Sequence, residues 1–526
     1  MKTNTIFSVI ACLAMVLFYS CVPDDAVPEH SGNPEEPVFS SEHPYNLNVI
    51  YFVSNDREVN ADYEQRISKI MLEGQRFFAD WMEHWGYGSK TFGLLRDENM
   101  QRVKIHLIHG TKSSDSYPYE GGASAVKEEV EAYFSEHPEE KTSDHNLIIC
   151  AVNEKLDEGE DMEVGVPFYG IGRDAYALDY PGMSYDNLGV GGDVGWKATV
   201  WIGGLYHEMG HGLNLPHCGS KVSESESDDY GTSLMGAGNS TFGISPTFLA
   251  QSSAAIVNNC QVFSEENGMF YTDTNAYIDR LSAGYENGDI IVTGSYVSDV
   301  PVTDITYYHK VGTDSGGYRA ITWVGEPTGE QSFQMRMPIS EFQERGNEEY
   351  TFSIILHHEN GNNTWTDFSY AFQSDIPDIH ISIGQQNVYD KTNWQIIDVS
   401  SEETVNENGA VAHVLDGNPQ TYWHSRWNTD TPGYPHYFVV DMKEELQSKG
   451  FVIYQRVGRR AINAYEIEVS SDSMAWETLA EGSLEDTYEQ VITLAGETKF
   501  RYFRFTAKSS HDGEPFAALA EIGVYH

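Results

Sequence analysis

Apolar positions along this chain change texture three times. Between residues 46 and 152, unbroken apolar runs alternate with amphipathic stretches. NLNVIYFV (46–53), KTFGLL (90–95), VKIHLIHG (103–110) and HNLIICAV (145–152) predict strands. DYEQRISKIMLEGQRFFADWMEHWG (62–86) places Ile67, Ile70, Met71, Phe77, Phe78, Trp81 and Trp85 at helical spacing and stops at a glycine. SAVKEEVEAYFSEH (124–137) has the same period. Strands alternating with helices predict an α/β layer, which we end near residue 270. From 271 to 375 the helical signal fades. GDIIVTGSYV, TDITYYHKV, GYRAITWVG, QSFQMRMPI, EYTFSIILHH and TDFSYAFQS alternate at period two between Gly, Asn and Asp, as in a small immunoglobulin-like or fibronectin-like β-sandwich. That stretch shows no chemistry of its own and reads as a spacer. Residues 376–526 are again strand-rich, with HYFVVDM, GFVIYQRV, AYEIEVSSD, YEQVITL and KFRYFRFTA.

The fold class expected is therefore multidomain, an α/β (α+β) domain at 46–270 followed by two β-sandwiches, at 271–375 and 376–526. The length of 526 residues agrees with several domains, and 40% hydrophobic residues suffice for packed cores. Charge narrows the partners. Lys+Arg total 32 against 80 Asp+Glu, a formal −48, and this field repels nucleic acid.

The N-terminus, MKTNTIFSVIACLAMVLFYSC, joins one lysine to an apolar run of signal-peptide length. The run ends at FYSC, which resembles a bacterial lipoprotein box. The resemblance implies a signal peptide at 1–20 and acylation of Cys21, and Asp24-Asp25 resembles the surface-export signal of Bacteroidetes lipoproteins. An ordinary signal peptide cleaved nearby is the alternative. Residues 21–45, rich in Pro, Glu, Ser and Asp, read as a flexible tether. The implied location is the outer membrane, lipid-anchored and facing outward. Cys150, Cys218 and Cys260 remain, an odd number, so at most one disulfide forms among them, and a Cys218–Cys260 bridge would pin the region between.

Cys218 itself belongs to LYHEMGHGLNLPHCG, 205–219. His207-Glu208-Met209-Gly210-His211 is HExxH. On a helix its two histidines lie one turn apart on one face, able to hold one ion, with Glu208 beside them. His217 follows six residues after His211. Gly212 and Asn214 permit a turn between them, and Pro216 forbids further helix. Three ligands would leave one tetrahedral position open.

HExxHxxNxxH resembles the HExxHxxGxxH signature of the metzincin zinc metallopeptidases, with Asn214 in place of the usual glycine. The resemblance implies that His207, His211 and His217 bind Zn²⁺ and that Glu208 is general base and proton shuttle. Met235, in SLMGAG, would form the methionine turn beneath the metal. The tyrosine that some metzincins carry two residues later is absent, because position 237 is Ala. Such a metal brings the pKa of a bound water toward about 7. Residues 164–180 would supply a substrate-pairing edge strand or a plain loop.

AVAHVLDGNPQTYWHSRW (410–427) and the terminal ALAEIGVYH resemble the discoidin-like, factor five/eight type C fold, whose bacterial relatives are often carbohydrate-binding modules. The resemblance implies a structural Ca²⁺ at Asp416, Thr421 and Glu521, although Asp416 could instead cap a turn. Sugar binding would draw on His424, Trp427, Arg456, Arg459, His511 and Phe516, with Trp423 in the core. The expectation is a surface-anchored zinc endopeptidase acting on glycoproteins of mucin type, with a glycan ligand on its C-terminal module. The alternatives are a carbohydrate-binding surface adhesin with an inactive zinc domain and a glycan-processing hydrolase.

Overall fold

The structure is a computed structural model that describes residues 38–152, 165–429, 431–456 and 458–526. The signal peptide, Cys21 and the tether up to residue 37 lie outside them. Strands dominate, helices are few, and Phe39–His526 form one compact unit.

The first sheet has five strands: β1 (Asn48–Val53), β2 (Ile105–His109), β3 (Asn146–Ala151), β4 (Gly170–Ile171) and β5 (Asp174–Asp179), in the order β2-β1-β3-β5-β4. The first four in that order are parallel, with Val49 opposite Ile105 and Leu147, and Leu147 opposite Ala175. Every residue of β1, β3 and β5 is buried, which is why β1 and β3 read as near-continuous apolar runs and not alternations, while β5 buries an aspartate at each end. β4 runs antiparallel at the edge. KTFGLL is not a strand. Its backbone bonds go to single residues, Leu47 N–H to Gly93 O and Gly93 N–H to Val262 O, so no ladder forms.

Helix α1 (Tyr63–His84) buries Ile67, Ile70, Met71, Phe78 and Met82, and α2 (Gly122–Glu136) buries Val126, Val130 and Phe134. Helix α3 (Asp193–Gly212) is buried nearly throughout its second half. It packs against β5, and its Tyr206 ring lies against Gly74 of α1, where a Cβ would stand 2.8 Å from Cε1. This pins the site-bearing end of α3 to the core.

The second layer pair is a sandwich. β6 (Ala276–Glu286), β7 (Asp289–Ser298), β8 (Val302–Val311), β9 (Ile321–Gly325), β10 (Ser332–Pro338), β11 (Glu349–His358), β12 (Asn363–Gln373), β13 (Ile376–Asp378) and β14 (His380–Ile383) form two sheets, β10-β7-β6-β14 and β9-β8-β11-β12-β13. The sandwich runs past residue 375, because β14 pairs with β6, Ile383 opposite Leu281. Tyr308, Ala320 and Ile355 of this layer join the core of the first domain, so the two are packed together and not strung out.

The C-terminal region is a second sandwich. β15 (Gln395–Val399), β16 (His436–Tyr454), β17 (Ala464–Ser470), β18 (Glu477–Ser483) and β19 (Glu489–Ala507) lie in the order β15-β16-β19-β17-β18, and β20 (Glu521–Tyr525) pairs with β16. Its core surrounds the fully buried Trp423, whose indole N–H donates to Ser401 O at 2.9 Å.

The three cysteines are buried and free. No Cys218–Cys260 bridge forms: Cys218 Sγ sits 3.5 Å from Ser233 Oγ, and Cys260 Sγ sits 3.6 Å from His145 Nε2.

Candidate metal centre

Helix α3 ends at Gly212, and Asn214 takes the left-handed conformation (φ 68) that lets the chain double back. The return brings His217 to His207 and His211, with ring centroids 4.9, 5.2 and 4.5 Å apart pairwise. One ligand nitrogen from each lies within 4.8 Å of the others. Each Nδ1 faces a backbone carbonyl: His207 donates to Leu234 O (2.7 Å), His211 to Leu215 O (2.9 Å) and His217 to Gly316 O (2.7 Å). With every Nδ1 N–H spent on a carbonyl, each neutral ring keeps a bare lone pair at Nε2.

This decides whether the residues fit a metal. His211 Nε2 and His217 Nε2 stand 3.0 Å apart, two acceptors facing each other with no proton to share. Protonating a ring is disfavoured, because burial pushes His207 down to about 4 and also lowers His211 and His217. A cation between them relieves the repulsion, and a soft-to-borderline divalent ion suits an all-imidazole set. The donor set fits.

Glu208 lies beside the triad. Burial raises its carboxyl to about 7, while the Gly170 amide, donating to Oε2 at 2.9 Å, pulls the other way. That amide belongs to edge strand β4, so the segment at 164–180 supplies both a short edge strand and a sheet strand, apart from residue 164, which is not among the described residues. Gly170 is needed there: a Cβ would stand 2.2 Å from His211 Cβ. Met235 is fully buried under α3, with Sδ 2.4 Å from where a Gly210 Cβ would be.

Sequence reasoning missed the contribution of the sandwich. The β8–β9 loop provides Gly316 O for His217 and lays Tyr318 over the same ring, centroids 3.7 Å apart and 27° between planes. Burial raises the Tyr318 phenol first, and the Glu208 carboxylate raises it further. The sandwich is therefore part of the site and not a spacer. The available signal was TDSGGY, a glycine pair before an aromatic residue in a strand-to-strand loop. A groove of about 560 Å³ runs from His211 and His217 past Arg173, Asn362 and Asn363 to Trp365, which is 40% exposed.

In the C-terminal sandwich, Thr421 Oγ1 donates to Asp416 Oδ2 (2.7 Å), and the Asn418 amide joins the two loops by donating to Glu521 Oε1 (3.1 Å). Asp416, Thr421 and Glu521 thus come together. The other Glu521 oxygen holds the ammonium of Lys391. Burial pushes that ammonium down to about 8, and Asp416 holds it up.

Of the sugar-site candidates, four gather. His424 is buried with Phe516 6.2 Å away, Trp427 is 38% exposed with its indole N–H on Glu407 Oε1 (2.8 Å), and Arg456 lies 4.4 Å over Tyr422. His511 instead faces Leu484 O at 2.9 Å. Arg459 is exposed, and its neighbour Arg460 takes the place over Phe516 at 5.4 Å. Glu407, Tyr422 and Arg460 were not anticipated.

Fold and site together define a multidomain, mostly β protein with a three-histidine helix end in front and a discoidin-like sandwich behind. The chain belongs to the same family as OgpA of Akkermansia muciniphila. It is 32% identical to catalytically inactive OgpA solved in complex with an O-glycopeptide (glycodrosocin) substrate, a match covering 66% of this chain and 98% of that one, TM-score 0.60. Wild-type OgpA gives 32% identity, 68% and 100% coverage and a TM-score of 0.59. Residues 396–522 match the F5/8 type C domain. The chain is also 32% identical over 139 residues to a sialidase of Micromonospora viridifaciens and 29% identical over 142 residues to galactose oxidase of Gibberella zeae. Each match takes in 26% of this chain, and they span 22% and 20% of those two proteins.

Proposed function

We propose that this protein is a zinc-dependent endopeptidase that cleaves O-glycosylated proteins of mucin type, anchored through Cys21 to the bacterial outer surface. The observation that carries the reading is the convergence of three lone-pair nitrogens beside a half-buried carboxyl, in a chain related to an enzyme solved with an O-glycopeptide substrate. His207, His211 and His217 would hold the ion. When bound, zinc polarises a carbonyl and acidifies water, so no Ser or Cys nucleophile is required.

The protein's own residues do the rest. Leu234 O, Leu215 O and Gly316 O fix the three rings in the ligating tautomer. Glu208, able to take and return a proton near neutrality, accepts one from the attacking water and passes it to the leaving amine. Its carboxylate is aimed by the Gly170 amide. Edge strand β4 offers backbone to an extended peptide, and the groove toward Trp365 gives room for sugars beside the scissile bond. The C-terminal module would hold a second glycan at Trp427, Arg456 and Phe516, raising the local concentration of a multiply glycosylated substrate. Calcium at Asp416, Thr421 and Glu521 would have to displace the ammonium of Lys391.

The test uses wild type and Glu208→Ala on an O-glycopeptide and on the same peptide without its sugar, with metal content measured. Wild type should cleave only the glycosylated form and carry one zinc per chain. Glu208→Ala should keep the zinc and lose about 10³-fold in rate. A metal-loaded wild type that cleaves neither peptide rejects the reading in favour of a carbohydrate-binding adhesin.

A further inference from the structure

The β8–β9 loop belongs to the sandwich but is fastened to the segment that carries the third histidine. Gly316 O accepts from the His217 Nδ1–H, the Tyr308 hydroxyl donates to His217 O at 3.0 Å, and Gly219 N–H donates to Ala320 O at 2.6 Å. Asp314, 8% exposed, clamps the loop from within by accepting from the amides of Gly317 (3.0 Å) and Arg319 (2.7 Å). Gly317 is left-handed at φ +82, and a Cβ there would stand 2.5 Å from the Tyr308 hydroxyl oxygen. The residues on either side of Tyr318 are thus both held.

What the clamp presents is one side chain. Tyr318 stacks on His217 and lies parallel to His207, 9° between planes at 6.2 Å. It is 49% exposed, and its hydroxyl has no hydrogen-bond partner among the described residues. A half-exposed ring contributes little by burial, so packing does not account for a loop held this tightly. Preorganised donors at the place where charge develops are the usual source of catalytic stabilisation.

We propose that Tyr318 is a catalytic residue. Its phenol donates a hydrogen bond to the oxygen of the scissile carbonyl as that oxygen gains negative charge during attack by water. The phenol keeps its proton throughout; the proton that moves is the one Glu208 takes from water and gives to the amine. This inference rests on the peptidase reading, and it assigns the sandwich a part in the chemistry.

Tyr318→Phe keeps the stacked ring and removes only the hydroxyl, whereas Tyr318→Ala removes both. Rates on an O-glycopeptide are compared with zinc content and with the affinity for a phosphinic pseudopeptide of the same sequence, a tetrahedral mimic of the attacked carbonyl. The Phe variant should keep its zinc and its KM, lose about 10²-fold in kcat, and bind the phosphinate about 10²-fold more weakly. A Phe variant equal to wild type in kcat and phosphinate affinity overturns the proposal, whatever the Ala variant does. Wild type that neither cleaves the peptide nor binds the phosphinate rejects the peptidase reading itself, and this inference with it.

Discussion

Met235 occupies the space that a side chain at position 210 would need: a Cβ on Gly210 would meet its Sδ at 2.4 Å and its Cε at 3.1 Å. Gly210 lies between the two helical histidines, and Leu234, next to Met235, accepts the His207 Nδ1 proton. The floor under the site and the orientation of its first ligand are thus one piece of chain. Gly210→Ala should cost about 1–3 kcal/mol through overpacking. Met235→Ala should cost about 2–5 kcal/mol through the cavity it leaves. The double variant should be more stable than the sum of the two losses, because each change removes the other's partner. Urea unfolding of all four proteins measures this, and simple additivity would refute the contact.

The clamp at Asp314 acts on the metal through His217. Asp314→Ala frees the amides of Gly317 and Arg319, and Gly316 O then drifts from the His217 ring. Zinc affinity should fall about 10-fold, the low end for loss of an outer partner. Competition with a chromophoric chelator gives the number. An unchanged affinity would show that the loop stays in place without its aspartate.

Acid should loosen the sandwich. His309 and His357 are fully buried, and burial holds their imidazoles down to about 3 and about 4. His357 spends both nitrogens, on Thr306 (2.7 Å) and Asn363 (2.6 Å). Both folded-state values lie below the unfolded value of about 6.5, so the unfolded chain binds more protons and stability rises with pH. The contribution is complete above about pH 6.5 and is lost as pH falls toward 4 and 3. By pH 5 each histidine should have cost about 2 kcal/mol. Melting temperature against pH for wild type and His357→Gln checks this: the variant should show a shallower slope between pH 6.5 and 4.

Lys391 and Glu521 form a pair that is nearly buried, with 15% and 3% of their side chains exposed. With its zinc site kept loaded, wild type should have the same melting temperature with and without added calcium. Lys391→Met leaves Glu521 unpaired, a change that costs about 3–5 kcal/mol in buried pairs, and calcium should restore part of that loss. A zinc-loaded wild type that calcium stabilises would instead mean that calcium, not the lysine, holds the two loops.

How much of this could be read from the residues differs from place to place. The α/β layer was legible because β1 and β3 carry near-continuous apolar runs, and the triad because its spacing is local to one helix and one turn, whereas β5, with an aspartate at each end, read no more as a strand than as a loop. KTFGLL has strand composition without strand partners: Gly93 passes so close to Tyr45 that a Cβ would stand 2.3 Å from its carbonyl oxygen. Arg459 and Arg460 were indistinguishable as letters. The left-handed backbone at Arg460 (φ 61) decides which guanidinium reaches Phe516. TDSGGY marks a loop but not its partner, because the contact of Gly316 and Tyr318 with His217 spans about a hundred residues and depends on how two layers dock.

The bond from His217 to Gly316 also sets what evolution can shuffle. A recombination break placed near residue 270, where the texture of the chain changes, would separate a ligand from the carbonyl that orients it. The first two layers must therefore travel as one heritable cassette.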